Sequence, residues 1–221
     1  MAEKVLVSWS GGKDSALSLY ETLKSGRFEV AALLATITEA YGRVTMHGVR
    51  EALLEKQAEA LGLRLEKVFI PENCPNDEYE SRMASTLIKY RRAEVSSTVF
   101  GDIFLEDVRR HREENLSKIG MKGIFPLWGE DTFRLAEKFI DLGFKAIITC
   151  VDAKRLTKQF VGRIFDRGFL ADLPEQVDPC GENGEFHSFV YDGPIFRKPI
   201  RFRVGETVLR GGNYYCDLIP L

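Results

Sequence analysis

The 221-residue chain contains no Cys-x-x-Cys pair. Its four cysteines, Cys74, Cys150, Cys180 and Cys216, stand far apart, which excludes a zinc ribbon and a dithiol redox motif and leaves four reduced thiols as the expectation. No apolar run approaches the roughly 18 residues that suggest a membrane span. Met1 to Trp9 also lacks a basic stretch followed by a long apolar one, so a cytoplasmic protein that does not enter membranes is expected. Neither sign of charge is in excess: 31 Lys and Arg against 33 Asp and Glu give a formal net charge of -2, with no global drive towards nucleic acid or anionic lipid. Internal repeats and low-complexity stretches are missing too. What remains is an ordinary globular composition, 44% hydrophobic, 29% charged and 11% aromatic, long enough for one large α/β domain or two small ones.

The hydrophobic pattern alternates between short and helical periods. KVLVSW at Lys4–Trp9 is too brief for a helix, is rich in strand formers, and meets the breaker Ser10-Gly11-Gly12 at once. Beyond it, Ala16, Leu19, Tyr20 and Leu23 fall at i, i+3, i+4 and i+7, one buried helical stripe ending at Gly26. A strand at Val30–Ala35, a helix from about Gly48 to Leu61 and a strand at Leu65–Ile70 follow, and this βαβαβ alternation implies a parallel sheet. Next come a helix at Asp77–Arg92, a strand at Ser97–Phe100 and a helix from about Glu106 to Ile119. The cadence weakens near Pro126, which sets the expected boundary between residues 1–126 and 127–221. The second part should hold a helix at Asp131–Leu142, a strand at Ala146–Val151, a helix near Lys158–Arg167, and a final strand pair turning at Gly205-Glu206. The expected fold is therefore α/β, a doubly wound parallel sheet with a smaller C-terminal α+β domain.

The stretch from Ser8 to Ser15, SWSGGKDS, carries the most chemistry. Two glycines let the backbone turn sharply near an anion, the start of the next helix offers free N–H groups and a positive dipole, and Ser10, Lys13 and Ser15 add donors and charge. A phosphate or pyrophosphate site at the carboxyl end of the first strand is implied. Neither G-x-x-x-x-G-K-[ST] nor G-x-G-x-x-G is present, so this is neither a Walker loop nor a dinucleotide fingerprint.

SGGKDS resembles the SGGxDS signature of the PP-loop ATP pyrophosphatases. Met46-His47-Gly48, Gly101-Asp102-Ile103-Phe104 through Arg109 and Arg112-Glu113, Pro126-Leu127-Trp128, and Gly181 to Ser188 (GENGEFHS) together resemble the diphthine-ammonia ligase family of that class. The resemblance implies an ATP-dependent ligase with an acyl-adenylate intermediate, Mg2+ as cofactor, free ammonia as nitrogen source, and diphthine on elongation factor 2 as the carboxylate. It implies nucleotide contacts from Ser10, Gly11, Gly12, Lys13, Asp14, Ser15, Gly101 and Asp102. The diphthamide-making members carry Glu-Gly-Gly-Glu followed by an aromatic residue and Glu, whereas here the signature reads Glu182-Asn183-Gly184-Glu185-Phe186-His187. That variant resembles a sister group suggested for cobalamin-related metabolism, whose acceptor would differ.

Several further residues are candidates by position. Thr36, Thr38 and Glu39 lie where the second strand should end, a usual place for adenine or ribose contacts. On a helical projection Arg109 and Arg112 fall inward, where they need anionic partners: ATP phosphates, a substrate carboxylate, or a structural pairing with Glu113 or Asp102. If Asn183 to Phe189 is extended, Asn183, Glu185 and His187 share one face; Asn183 and Glu182 would bind substrate, and Glu185 or His187 would take a proton. Lys13 and Asp14 complete the expected catalytic set. His47 either contacts nucleotide or caps a helix, and Trp128, Phe125 and Tyr41 either line a substrate pocket or pack. Competing classes are an ATP sensor without turnover, an RNA-modifying adenylase using the basic Lys89–Arg92 cluster, and sulfur transfer through Cys150 or Cys180. No dedicated nucleic-acid module is present, no residue set is expected to hold a resident metal, and a homo-oligomer is compatible with the chain.

Overall fold

A computed structural model describes residues 2–221. The strand β1 (Glu3–Ser8) occupies the middle of a sheet because Val5, Leu6 and Val7 are fully buried, as a parallel strand covered by helices on both faces requires. It pairs in parallel with β2 (Phe28–Thr38) on one side and β5 (Ser97–Val99) on the other. β4 (Leu65–Ile70) adds beyond β2, β6 (Lys122–Ile124) beyond β5, and the two-residue β3 (Arg43–Val44) pairs antiparallel with the end of β2. The parallel order is thus β4-β2-β1-β5-β6, and the direction of winding reverses between β1 and β5. Ligands of such sheets bind outside the carboxyl ends of the strands at that reversal.

Side-chain alternation sorts the two faces. Val5 and Val7 join the larger core with Ala16 and Leu19 of α1 (Lys13–Lys24) and with Leu53 and Leu54 of α2 (Glu51–Leu61). Leu6 and Leu34 point the other way, to Leu87 of α3 (Asn76–Arg92) and Leu116 of α4 (Glu106–Ser117). The remaining chain forms α5 (Thr132–Asp141), β7 (Lys145–Asp152), α6 (Arg167–Asp172), β8 (Phe186–Asp192), β9 (Phe202–Arg210) and β10 (Asn213–Pro220). Its antiparallel sheet has the order β8-β7-β10-β9. The larger core runs without a break from Val7 and Leu54 to Phe186, Phe189 and Leu218, so α1 is packed between the two sheets.

Two expectations are corrected. The helix expected near Lys158–Arg167 is a single 3-10 turn at Lys158–Phe160; Gly162 then takes φ +80° and Ile164 bridges to Ile147 of β7. The helix begins instead at Arg167, where the Asp166 carboxylate accepts the Phe169 N–H at 2.8 Å. The final hairpin does not turn at Gly205-Glu206, because β9 continues through both, with a register break that sets the two residues opposite Asp217. The chain reverses at Gly211-Gly212, whose φ values of +56° and +84° suit a two-residue hairpin turn.

Asp217 of β10 ties the two sheets together. Its carboxylate receives Arg50 at 3.0 and 2.6 Å and Arg43 at 2.9 Å, and the Arg50 hydrogen bonds, outweighing burial with help from Arg43, hold its pKa down at about 2. A depressed carboxylate contributes stability above its unfolded pKa and loses it as pH falls through the folded value. Asp217→Asn is therefore expected to cost about 2 kcal/mol at pH 7. In urea titrations the gap between variant and parent should close between about pH 4 and pH 2. A gap independent of pH would contradict the pairing.

Candidate active site

The phosphate-type loop follows from local chain geometry. The Trp9 N–H still belongs to the sheet, bonding Leu34 O at 2.8 Å, and the chain then leaves through Gly11 at φ +78° into α1. Gly12 caps α1 in extended conformation. A Cβ there would lie 3.1 Å from His47 Cε1 and 3.2 Å from the Ser188 carbonyl, so a side chain at this position would push its neighbours aside. Among the described residues, no hydrogen bond engages the N–H groups of Ser10, Gly11 or Ser15. Three free donors at a helix start form an anion-binding concavity.

The back of the loop is clamped to the second sheet. Val190 N–H donates to Gly11 O at 2.9 Å, and Lys13 N–H donates to Ser188 Oγ at 3.2 Å. The fully buried Gln57 of α2 donates to Gly11 O at 3.0 Å and Val190 O at 2.6 Å, and its own oxygen accepts Trp9 Nε1 at 2.9 Å. Sequence reasoning missed Gln57, which sits on the apolar stripe of its helix with nothing in its spacing to distinguish it.

Beside the loop opens a cleft of about 370 Å³, lined by Ser10, Thr36, His47, Tyr79, Arg112 and His187 among others. Tyr79 was also missed, having only a helical position to mark it. The rings of His47 and His187 lie 4.4 Å apart. Burial, assisted for His47 by His187 and for both by Lys13, holds His47 well below the usual range and His187 down at about 4, so both imidazoles are neutral at pH 7. His47 Nδ1 is buried without a hydrogen-bond partner, and the residue caps no helix, since α2 starts from Arg50. His47 Nδ1 is thus an unpaired polar atom buried in the wall of the cleft.

At the first turn of α1 lies a charged cluster that reaches the cleft through Arg112. The Lys13 ammonium turns into the protein, donating to Asp14 Oδ2 at 2.9 Å and to the Cys180 carbonyl, with the rings of Phe186 and Phe165 at 5.3 and 6.0 Å. Burial opposes its charge most strongly, but Asp14, Cys180 and Glu182 together outweigh it and the pKa is raised; burial likewise pushes Asp14 up against the pull of Lys13. Gly101 packs directly on this turn, where a Cβ would sit 2.9 Å from the Asp14 carbonyl carbon. Next to it Asp102 pairs with Arg112 Nε at 2.6 Å, and Glu182 Oε1 accepts the Ile103 N–H at 2.7 Å. Burial pushes Glu182 up to about 7, the Ile103 N–H and Lys13 opposing and Asp14 and Asp102 assisting.

The other candidates are placed elsewhere. Arg109 stacks on Phe125 and Trp128 and pairs with Glu113 at 2.9 Å, and Tyr41 packs under Arg210 at the surface; neither lines the cleft. Asn183 and Glu185 do not lie on one strand face with His187, because β8 begins only at Phe186 and the residues before it form a turn. Within that turn the Glu185 carboxylate accepts Asn183 N–H and Nδ2, both at 3.0 Å, and Asp178 N–H at 3.2 Å. Burial pushes the Cys150 thiol up to about 12 and the Cys180 thiol further, so neither supplies a thiolate.

A glycine bend at the reversal point of a parallel sheet, with free N–H donors and a cleft beside it, defines a nucleotide-binding protein of the PP-loop class. Residues 3–123 match the family model described as the diphthamide synthase N-terminal domain, and residues 131–219 match the diphthamide synthase C-terminal domain. The chain belongs to the diphthamide synthase family and is an ATP-dependent ligase that forms carbon–nitrogen bonds. The diphthine–ammonia ligase of Danio rerio is 29% identical over 235 residues, covering 95% of this chain and 90% of that protein. The Homo sapiens enzyme is 27% identical over 236 residues, covering 96% and 87%. The Schizosaccharomyces pombe enzyme is 28% identical over 97% of this chain, which spans only 38% of that longer relative. The crystal structure of a predicted subunit of tRNA methyltransferase from Methanocaldococcus jannaschii aligns with a TM-score of 0.45 at 20% identity, over 65% of this chain and 80% of that one. No helix among the described residues is long and apolar enough to cross a membrane.

Proposed function

We propose that the chain converts diphthine on elongation factor 2 to diphthamide in two steps: ATP adenylates the substrate carboxylate with release of pyrophosphate, and ammonia then displaces AMP. The observation that carries this reading is the glycine bend at the sheet's reversal point, whose Ser10, Gly11 and Ser15 N–H groups have no protein partner and whose Ser10 lines the cleft. A triphosphate whose β and γ groups rest on those donors leaves its α-phosphorus towards the cleft, where the carboxylate attacks, and the donors stabilise charge as it develops on the departing pyrophosphate. Thr36 and Tyr79 flank the nucleoside. The Arg112 guanidinium, which lines the cleft, offers a further polar contact, while Gly101 and Asp102 seat α1 and Arg112. Magnesium enters this reading on the nucleotide's own phosphates; among the described residues no three His, Cys, Asp or Glu side chains gather as a metal site.

The test is product identity. With Mg-ATP, ammonium and diphthine-bearing elongation factor 2, stoichiometric AMP and pyrophosphate are expected, and elongation factor 2 without diphthine should give neither. ADP with orthophosphate, or AMP release indifferent to the acceptor, would overturn the reading.

A further inference from the structure

Amide formation needs a nitrogen nucleophile with a free electron pair, yet an ammonium ion at pH 7 is overwhelmingly protonated. Some group must take its proton. The Glu185 carboxylate is shut off for this purpose: it is 3% exposed and already receives three N–H donors from Asp178 and Asn183. His187 holds protons too weakly, its pKa having fallen to about 4. Glu182 differs in both respects. It is half-buried and takes one protein hydrogen bond, Ile103 N–H on Oε1. Its Oε2 has no partner among the described residues and is not among the buried unpartnered atoms, so that oxygen keeps some accessible surface. A general base works best when its pKa lies near the operating pH, and Glu182 stands at about 7.

The groups facing Glu182 define its position. Asp14 and Lys13 reach it from the first turn of α1, and Asp102, held by Arg112, from the loop after β5; Asp178 and Cys180 belong to its own loop. It therefore sits beside the first turn of α1 and next to Asp102, whose partner Arg112 lines the cleft.

We infer that Glu182 is the general base that takes a proton from ammonium for attack on the acyl-adenylate, a role that rests on the proposed ligase reading. Glu182 Oε2 accepts one proton, and the nitrogen lone pair forms the carbon–nitrogen bond. The carbon–oxygen bond to AMP breaks with its electron pair leaving on the AMP phosphate, and the second proton passes from nitrogen to water. Asn183 and Glu185 hold the loop that presents Glu182.

Glu182→Gln tests this, since the amide oxygen can still accept the Ile103 N–H. Three readouts on the full chain with diphthine-bearing elongation factor 2 separate the possibilities: ATP–pyrophosphate exchange, ammonium-dependent AMP release, and hydroxamate formation with hydroxylamine, a nucleophile already neutral at pH 7. The variant is expected to exchange pyrophosphate and form hydroxamate like the parent but to lose roughly 100- to 1000-fold in ammonium-dependent turnover at pH 7. Its residual rate should climb roughly tenfold per pH unit as free ammonia accumulates, whereas the parent's should level off above pH 7. Parent-like ammonium turnover in the variant would overturn the assignment, as would equal losses in exchange and amide formation. A parent enzyme without pyrophosphate exchange or hydroxamate would instead overturn the adenylation reading beneath it.

Discussion

Lys13→Met is expected to cut AMP formation by on the order of 100-fold or more and to lower the melting temperature by roughly 6–12 °C. The two effects have one origin. The Lys13 ammonium is almost wholly buried, bonded to Asp14 and the Cys180 carbonyl and flanked by Phe165 and Phe186. Methionine fills the same space but leaves both acceptors unpaired. Removing one member of a buried pair costs about 3–5 kcal/mol, and Asp14, at 31% side-chain exposure, recovers part of that from water, which places the loss at the lower end. Catalysis suffers more, because the variant puts a lone Asp14 carboxylate beside Glu182 at the entrance of a loop whose proposed task is to receive pyrophosphate. Chromatographic measurement of AMP, together with a thermal melt, checks both. Parent-like AMP formation would remove Lys13 from the reaction, and an unchanged melt would contradict the buried pairing.

The parts of this arrangement that were legible in the sequence are those whose signals are local. The KVLVSW strand, the glycine bend and the Ala16-Leu19 start of the helical stripe each declare themselves within a few residues and place the loop at the carboxyl end of β1, although Leu23, read onto the same buried stripe, is exposed. Long-range contacts decide the rest. Residues 158–167 tolerate a helix, but pairing of Ile164 with Ile147 draws them into extended chain. A helical projection sends Arg109 and Arg112 inward alike; Phe125 and Trp128, from a later loop, capture Arg109 and leave only Arg112 at the cleft. Strand alternation put Glu185 forward as the base, whereas the turn through Gly181, at φ +65°, and Asn183 folds Glu185 inward and leaves Glu182 facing out.

Gln57→Leu is expected to destabilise the protein by about 3–5 kcal/mol and to weaken ATP binding, although the substituted side chain would touch no ligand. Gln57 serves three buried groups at once: it accepts from Trp9 Nε1 and donates to the carbonyls of Gly11 and Val190. Leucine is near enough in size that no large cavity opens, so the loss isolates the polar term. The indole N–H is orphaned outright, while Gly11 O keeps the Val190 N–H. Each unsatisfied buried group costs about 1–3 kcal/mol, and Gly11 is also the residue that turns the chain towards the nucleotide, so looser anchoring there broadens the loop's conformations. Gln57→Glu sharpens the test. A carboxylate at that site accepts from Trp9 but faces two carbonyl oxygens it cannot satisfy, so its folded-state pKa is raised, and only the protonated acid donates to one of them. A raised pKa means stability that is present at low pH and lost as pH rises through the folded value. The penalty of Gln57→Glu in urea titrations should therefore be small near pH 4 and grow towards pH 8, while that of Gln57→Leu stays flat. A leucine variant within about 1 kcal/mol of the parent, or a glutamate variant with no pH dependence, would show that this amide does not hold the loop.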